Sequence, residues 1–367
     1  MDSGKIGVGI VGVEPGRSWS AIAHIPALRA LPEFELVAVC TTRQASAAAA
    51  ARTFGIPHAF ADYQAFLGQP GVDLVAVTVK VPHHLELVTA AFEAGKAVYC
   101  EWPLGNGLVE AVRMAELARS RRVYAAVGLQ ARAAPAIAFV KDLIDSGYVG
   151  DVLSTTLIGS GMNWGAFVER PNVYTLDRSN GATLLTIPFG HTVDALCHLL
   201  GEFEDLVAVM ANRRRTSTIV GTTDVVPMTA EDQLVVTGRL QSGTVAAIHY
   251  RGGMPGGTGL LWEINGTAGD LQVTAIGGHA QLFDLTLKGA PAGRSLEPLE
   301  IPAKYRWAPA VPGVAFNVAQ AYARVAEDLR GKTQRCAGFD DAVVRHRLIA
   351  AVEESARSGK RVAVAQA

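Results

Sequence analysis

Through the first third of the chain, short and almost continuously apolar runs alternate with longer segments of helical periodicity. IGVGIVGV, ELVAVC, DLVAVTV, AVYC and VYAAVG are each bounded by turn-forming residues. Near-continuous apolarity marks strands buried on both faces, so these runs predict a parallel sheet. Between them, QASAAAAARTFG, HHLELVTAAFEAG and LVEAVRMAELARS space their apolar residues for helices, and Gly55 and Gly95 stop two of these at the C-terminal cap. The alternation predicts a Rossmann-type doubly wound parallel sheet, an NAD(P)-binding domain over residues 1–130.

The pattern then changes. Residues 135–147 predict one more amphipathic helix, after which DVLSTTLIGSG, DLVAVMAN, QLVVTGRLQ, GTVAAIHY, LLWEING and DLQVTA follow with little helix between them. Consecutive strands joined by turns such as QSG predict a large, open, mainly antiparallel sheet, so residues 131–335 read as an α+β substrate and oligomerisation domain. NVAQAYARVAEDLRG and DDAVVRHRLIAAVEESARSG predict a closing pair of helices, with residues 336–367 expected to pack back on the Rossmann domain. An open sheet needs its outer face covered, which predicts a homodimer or homotetramer built on LVVTGRL and VAAIHY.

Composition narrows the function. A chain of 367 residues that is 49% hydrophobic and 18% charged buries more than one domain's core. The net charge of -1 lacks the footprint of a nucleic-acid binder, and the run Arg213, Arg214, Arg215 reads as a solvated loop. The start, MDSGKIGVGIVGV, has no basic leader region and reads as a first strand, not a signal peptide. No stretch is apolar for long enough to span a bilayer. Cys40, Cys100, Cys197 and Cys336 are far apart, which predicts neither disulfides nor a metal site and points to a reduced, cytoplasmic setting.

The first strand leads into a turn holding Gly12, Gly16, Ser18 and Trp19. A pyrophosphate approaching a helix N-terminus needs such glycines, although the spacing departs from G-x-G-x-x-G and Ser18 and Ser20 would share the phosphate contacts. The second strand runs into Thr41, Thr42 and Arg43 where NAD binding calls for a carboxylate. Hydroxyls followed by a guanidinium suit a 2′-phosphate, so NADP is the expected cofactor and NAD the alternative.

These features sit among more specific ones. His24 to Leu28 (HIPAL), Glu93 to Lys96 (EAGK), Glu101 and Pro103 in EWP, and Gly181, His191 and Asp194 resemble the glucose-fructose oxidoreductase, inositol dehydrogenase and MocA family. The turn ending in Trp19, Val79 to Pro82 (VKVP), Glu101 with Trp102, and Gly128 to Arg132 (GLQAR) are similar to the branch holding the yeast galactose-pathway repressor. The resemblance implies a small, sugar-like substrate, with Val79, Lys80, His84, Glu101, Trp102 and Gln130 beside the cofactor. It also implies a substrate pocket from Trp102, Arg132, Asn163, Trp164, His191 and Asp194, with Tyr174 and Tyr250 adding aromatic surface.

Chemistry is where the chain departs from this family. The lysine of the family's E-K-P motif is Trp102, and the aspartate expected four residues before the histidine is Ile187, with Thr186 beside it. An indole cannot accept a proton, and losing a general base lowers rates by about 10² to 10⁴. His191 and Lys80 are the remaining catalytic candidates. The reading is an NAD(P)-dependent oxidoreductase acting on a sugar, polyol or related compound. The alternatives are a catalytically silent nicotinamide-binding regulatory protein or a redox-neutral glycoside-processing enzyme.

Overall fold

The computed structural model describes residues 4–365. Contacts divide the chain into two units, Met1–Gln130 with Arg306–Val343, and Ala131–Tyr305 with Val344–Ala367.

In the first unit, β1 (Ile6–Val11), β2 (Phe34–Cys40), β3 (His58–Phe60), β4 (Leu74–Val77), β5 (Ala97–Glu101) and β6 (Ala125–Gly128) alternate with α1 (Ile25–Ala30), α2 (Gln44–Phe54), α3 (Tyr63–Leu67), α4 (His84–Glu93) and α5 (Leu108–Arg121). The strands pair in parallel in the order β3-β2-β1-β4-β5-β6. β1 and β4 are buried along their whole length, as their unbroken apolar runs require. The order reverses between β1 and β4, and the carboxyl ends of these two strands form the crevice where such sheets take ligands. β3 escapes the hydrophobic pattern because it is a three-residue edge strand with no buried residue. The helix Ala315–Gly331 joins this unit, burying Val318, Tyr322 and Val325 in the same core as Ile25 and Phe34.

The second unit opens with α6 (Pro135–Asp145), β7 (Val152–Ser160), β8 (Phe167–Val168) and α7 (Gly190–Leu200). β9 (Phe203–Ala211), β10 (Thr216–Ile219), β11 (Val225–Pro227), β12 (Gln233–Leu240) and β13 (Val245–Arg251) follow. After them come β14 (Leu260–Gly266), β15 (Gly269–Ala275), β16 (Thr286–Pro291), β17 (Glu297–Pro298) and β18 (Val362–Ala363). Nine strands form one sheet, β17-β16-β15-β14-β7-β13-β12-β9-β18, while β11-β10-β8 form a small second one. The large sheet is antiparallel apart from the β7–β13 pair. Along β12 and β13 burial alternates: Leu234, Val236, Ile248 and Tyr250 are buried, while Val235 is 37% and Val245 59% exposed.

The C-terminal segment departs from expectation. Residues 306–343 cluster with the first unit and Val344–Ala367 with the second, where Val362 and Ala363 pair with Leu206 and Asp205 of β9. Edge backbone on β9 offers the tail hydrogen bonds that an apolar helix face cannot.

Candidate functional site

The glycine turn is built tightly. Gly12 has φ of 91°, and a Cβ there would lie 2.6 Å from Val79 Cγ1, so the ends of β1 and β4 approach this closely only with glycine. Ser18 Oγ accepts from the Glu14 N–H at 2.8 Å and donates to the Glu14 carbonyl at 2.9 Å. Ser20 Oγ donates to the Gly12 carbonyl at 2.9 Å. Both hydroxyls thus close the lengthened loop on itself, where the sequence suggested phosphate contacts. Gly16 adopts φ of 83° at the loop's exposed tip, and Trp19 packs edge-on against His24 at 6.3 Å.

At the end of β2, Thr41 Oγ1 donates to the Arg43 carbonyl at 3.0 Å and meets Ser46 Oγ at 2.7 Å, fixing the entry to α2. Thr42 and Arg43 are exposed, and no other described side chain engages the Arg43 guanidinium. Beyond β4, Lys80 is exposed, without the burial that a base role calls for. His84 is buried, with Nε2 3.0 Å from the Val79 carbonyl and Nδ1 3.0 Å from that of Pro103. Burial pushes its pKa below the usual histidine range. A neutral imidazole has a single N–H, so it donates to one of these carbonyls and packs against the other, between the segment after β4 and the one after β5.

The end of β5 carries a polar cluster that sequence reading found only in part. Gln130 Nε2 donates to Glu101 Oε1 at 2.7 Å, and His24 Nε2 lies 3.0 Å from the same oxygen, close enough for an ion pair but without hydrogen-bond alignment. His24 Nδ1 meets Tyr322 OH at 2.8 Å, and Tyr322 stacks on Tyr99 at 4.7 Å. The HIPAL motif flagged His24, whereas Tyr322 lies 298 residues away and carries no local signal. Trp102 follows at 5% exposure and is joined to Pro103 by a cis peptide bond. Gly12, the strand ends at Arg43 and Val79, and the Glu101–Gln130 pair all lie at the carboxyl edge of one parallel sheet, an arrangement that fits a dinucleotide.

In the second unit, α7 sets two buried polar residues on one face. Asp194, 0% exposed, accepts from Arg132 Nε at 2.7 Å and Nη2 at 2.8 Å, and from Arg345 Nε at 3.2 Å. Arg345 Nη2 continues to Glu202 Oε1 at 2.8 Å. Burial alone would raise the Asp194 pKa, but Arg132 and Arg345 outweigh it and hold the carboxyl below its ordinary range. Arg132 and Asp194, expected in the substrate pocket, therefore neutralise each other, and Arg345 and Glu202 complete a network that the sequence did not reveal.

His191 is different. It is 4% exposed, its Nδ1 is sealed from solvent with no partner, and burial followed by the neighbouring His279 pushes its pKa down to about 3. An unpartnered lone pair costs less in an apolar pocket than an unpartnered N–H, so the neutral ring carries its proton on Nε2. The ring can thus donate a hydrogen bond but is a poor proton acceptor at neutral pH. Thr186, where the family pattern expects a carboxylate nearby, donates to the Gly181 carbonyl at 2.7 Å. Of the aromatic wall, Trp164 Nε1 donates to Thr175 O at 2.9 Å and Tyr250 OH to Gly278 O at 2.8 Å, so both are packed and bonded within the unit. Asn163 stays half-buried. Among the described residues, no group of three or more His, Cys, Asp or Glu side chains could hold a metal ion.

Residues 6–129 match the oxidoreductase family with the NAD-binding Rossmann fold, and residues 135–275 match the C-terminal domain of Gal80p. A dehydrogenase of Aspergillus oryzae is 38% identical over 213 residues, 56% of this chain and 58% of that protein's own length. The galactose/lactose metabolism regulatory protein of Kluyveromyces lactis is 30% identical over 308 residues, 78% of this chain and 67% of that one. Levoglucosan dehydrogenase, solved with NADH and levoglucosan, shares the fold with a TM-score of 0.85 over 99% of this chain and 100% of that one, at 21% identity. No helix among the described residues is long and apolar enough to cross a membrane. The chain belongs to the glucose-fructose oxidoreductase, inositol dehydrogenase and MocA family and carries the Gal80p-type C-terminal domain.

Proposed function

We propose that this protein is an NADP-preferring oxidoreductase acting on an uncharged sugar or polyol, with His191 as a neutral hydrogen-bond donor in place of the usual base. The observation carrying this reading is His191: a buried imidazole without a hydrogen bond, on a helix whose neighbouring charges are saturated. Evolution of a purely structural core leaves few such groups unsatisfied. The levoglucosan dehydrogenase fold, and the dehydrogenase among the relatives, support the redox and sugar elements.

When bound, the nicotinamide supplies hydride transfer. Gly12 and its loop would hold the pyrophosphate, Arg43 the 2′-phosphate and Glu101 with Gln130 the nicotinamide side. Nε2–H of His191 would donate to the reacting oxygen and orient it, leaving proton exchange to water. Turnover is then expected about 10² to 10⁴ below that of a base-equipped relative. A second copy of the chain would cover the exposed valines Val207, Val209, Val235 and Val245 on one face of the large sheet, giving a homo-oligomer.

A second reading has its own support. Trp102 at the lysine position, together with 30% identity to a regulatory protein, favours a nicotinamide-binding sensor without turnover. One experiment separates the two: nucleotide-stripped protein is titrated with NADP and NAD by calorimetry, then screened with sugars and polyols for reduced cofactor. Binding with turnover supports the enzyme, binding without turnover the sensor, and no binding overturns both.

A further inference from the structure

His279 is a further buried histidine, 4% exposed, in the segment after β15. That segment is pinned from three sides. Gly278 N–H donates to the Ser160 carbonyl of β7 at 3.0 Å, and the Gly278 carbonyl accepts from Tyr250 OH of β13 at 2.8 Å. The same carbonyl accepts from Thr192 Oγ1 at 3.2 Å. Thr192 directly follows His191, so this bond sets the His279 segment against the start of α7. A Cβ on Gly278 would lie 2.0 Å from the Ser160 nitrogen, so no other residue lets the chain pass this close.

The ring of His279 reaches a third element. Its Nε2 accepts from the Met162 N–H at 3.3 Å, in the loop that follows β7. That loop is rigidly built: Gly161 N–H donates to the Arg251 carbonyl at 2.8 Å, and the Asn163 carbonyl accepts from Gly253 N–H at 2.7 Å. Trp164 is held at φ of 61°, a left-handed conformation rare for an aromatic residue, with its ring buried and its Nε1 bonded. Strain of this kind persists where the surroundings over-determine it, and here its result is to present Asn163. The Asn163 side chain is half-buried and makes no hydrogen bond within the described residues.

We propose that His279 is a positioning residue of the ligand site. It ties the loop carrying Asn163 to the helix start carrying His191, and the site so built takes uncharged polyhydroxy compounds in preference to the corresponding sugar acids. Because Nε2 accepts, the neutral ring of His279 carries its proton on Nδ1, and a hydrogen bond from there to the Gln281 carboxamide, 3.4 Å away, needs the amide turned with its oxygen toward the ring. Burial holds His279, like His191, down to about 3, so the imidazoles and amides of this site are all neutral. Arg132 and Arg345, the arginines held by Asp194 one helical turn from His191, are already matched by Asp194 and Glu202. A ligand carboxylate beside these imidazoles would lose its hydration against neutral rings while Arg132 and Arg345 are already committed, whereas a hydroxymethyl group would lose little.

This inference deepens the oxidoreductase reading and rests on its sugar site. It is tested with two matched pairs that differ only in a hydroxymethyl or carboxylate group, D-galactose with D-galacturonate and D-glucose with D-glucuronate. They are titrated calorimetrically into the full-length protein saturated with NADP. The expected result is that the neutral member of at least one pair binds about tenfold or more tighter than its acid, the scale of one desolvated charge left unpaired. His279→Leu should narrow that ratio and weaken the neutral ligand, and His279→Gln, which keeps an acceptor for the Met162 N–H, should restore it. Equal or tighter binding of the acids overturns the inference while leaving the sugar site standing, and so does a His279→Leu protein that melts and binds like the parent. Binding of NADP but of none of the four compounds overturns the sugar reading itself.

Discussion

Asp194 and His191 stand one helical turn apart near the start of α7, both buried, yet their surroundings treat them in opposite ways. Asp194 is gripped by two arginines that a glutamate partly neutralises in turn, so every charge has a counterpart. His191 has no hydrogen bond and no countercharge that prevails over its burial. A saturated network of this kind holds the fold together but offers nothing to a ligand. The unsaturated ring contributes little to stability and leaves a donor that only a ligand or water can satisfy.

The largest effect should come from breaking the saturated side. Asp194→Ala removes the buried carboxylate that Arg132 and Arg345 share, leaving Arg345 with Glu202 alone, and is expected to destabilise the protein by about 3 to 5 kcal/mol, measurable as a lowered urea midpoint. A variant as stable as the parent would mean that the network is not structural.

Acid should act on the other side first. His191, His279 and His346 are each pushed from 6.5 to about 3 by burial, so between these values the unfolded chain binds protons that the fold refuses. Stability therefore rises with pH across this window and is lost as pH falls through it. From pH 6.5 to 5.5 the loss should be about 1 kcal/mol per histidine, or about 3 for the three together. The depressed Asp194 contributes its stability above its ordinary value of 3.8, so it withdraws support only on further acidification. Equal urea midpoints at pH 6.5 and 5.5 would contradict the burial of neutral imidazoles.

Arg43→Ala sharpens the contrast in the first unit, where an exposed charge waits for a partner. NADP affinity should fall by about 1 to 3 kcal/mol with NAD unaffected, and equal loss for both cofactors would refute the 2′-phosphate assignment. The smallest expected effect is on stability in His191→Leu, a change within about 1 kcal/mol, since no hydrogen bond is lost. That variant should nonetheless lose sugar binding in calorimetry; retained binding would remove His191 from the site.

What the sequence revealed follows how far each feature depends on local pattern. β1 and β4 could be read from unbroken apolar runs, and the glycine turn from Gly12, because strand burial and positive φ restrict residue choice at those positions. β3 could not, since a three-residue edge strand with a histidine has no periodicity to detect. Arg345 lies 151 residues from Asp194, and His279 is 117 from Met162, so their partnerships exist only once distant strands are laid side by side. Serines 18 and 20 misled in the other direction, because a hydroxyl suited to a phosphate also suits a neighbouring carbonyl.

The short β18 strand has a practical consequence. By pairing with Leu206 and Asp205, Val362 and Ala363 cover part of the outer margin of β9, where bare amides and carbonyls would otherwise serve as a template for another polypeptide. Val362 and Ala363 thus act as a selvedge, the finished border that keeps a woven cloth from unravelling or catching on its neighbour. An affinity tag or fluorescent fusion placed here belongs after Val364, whose N–H still bonds the Glu204 carbonyl at 3.0 Å.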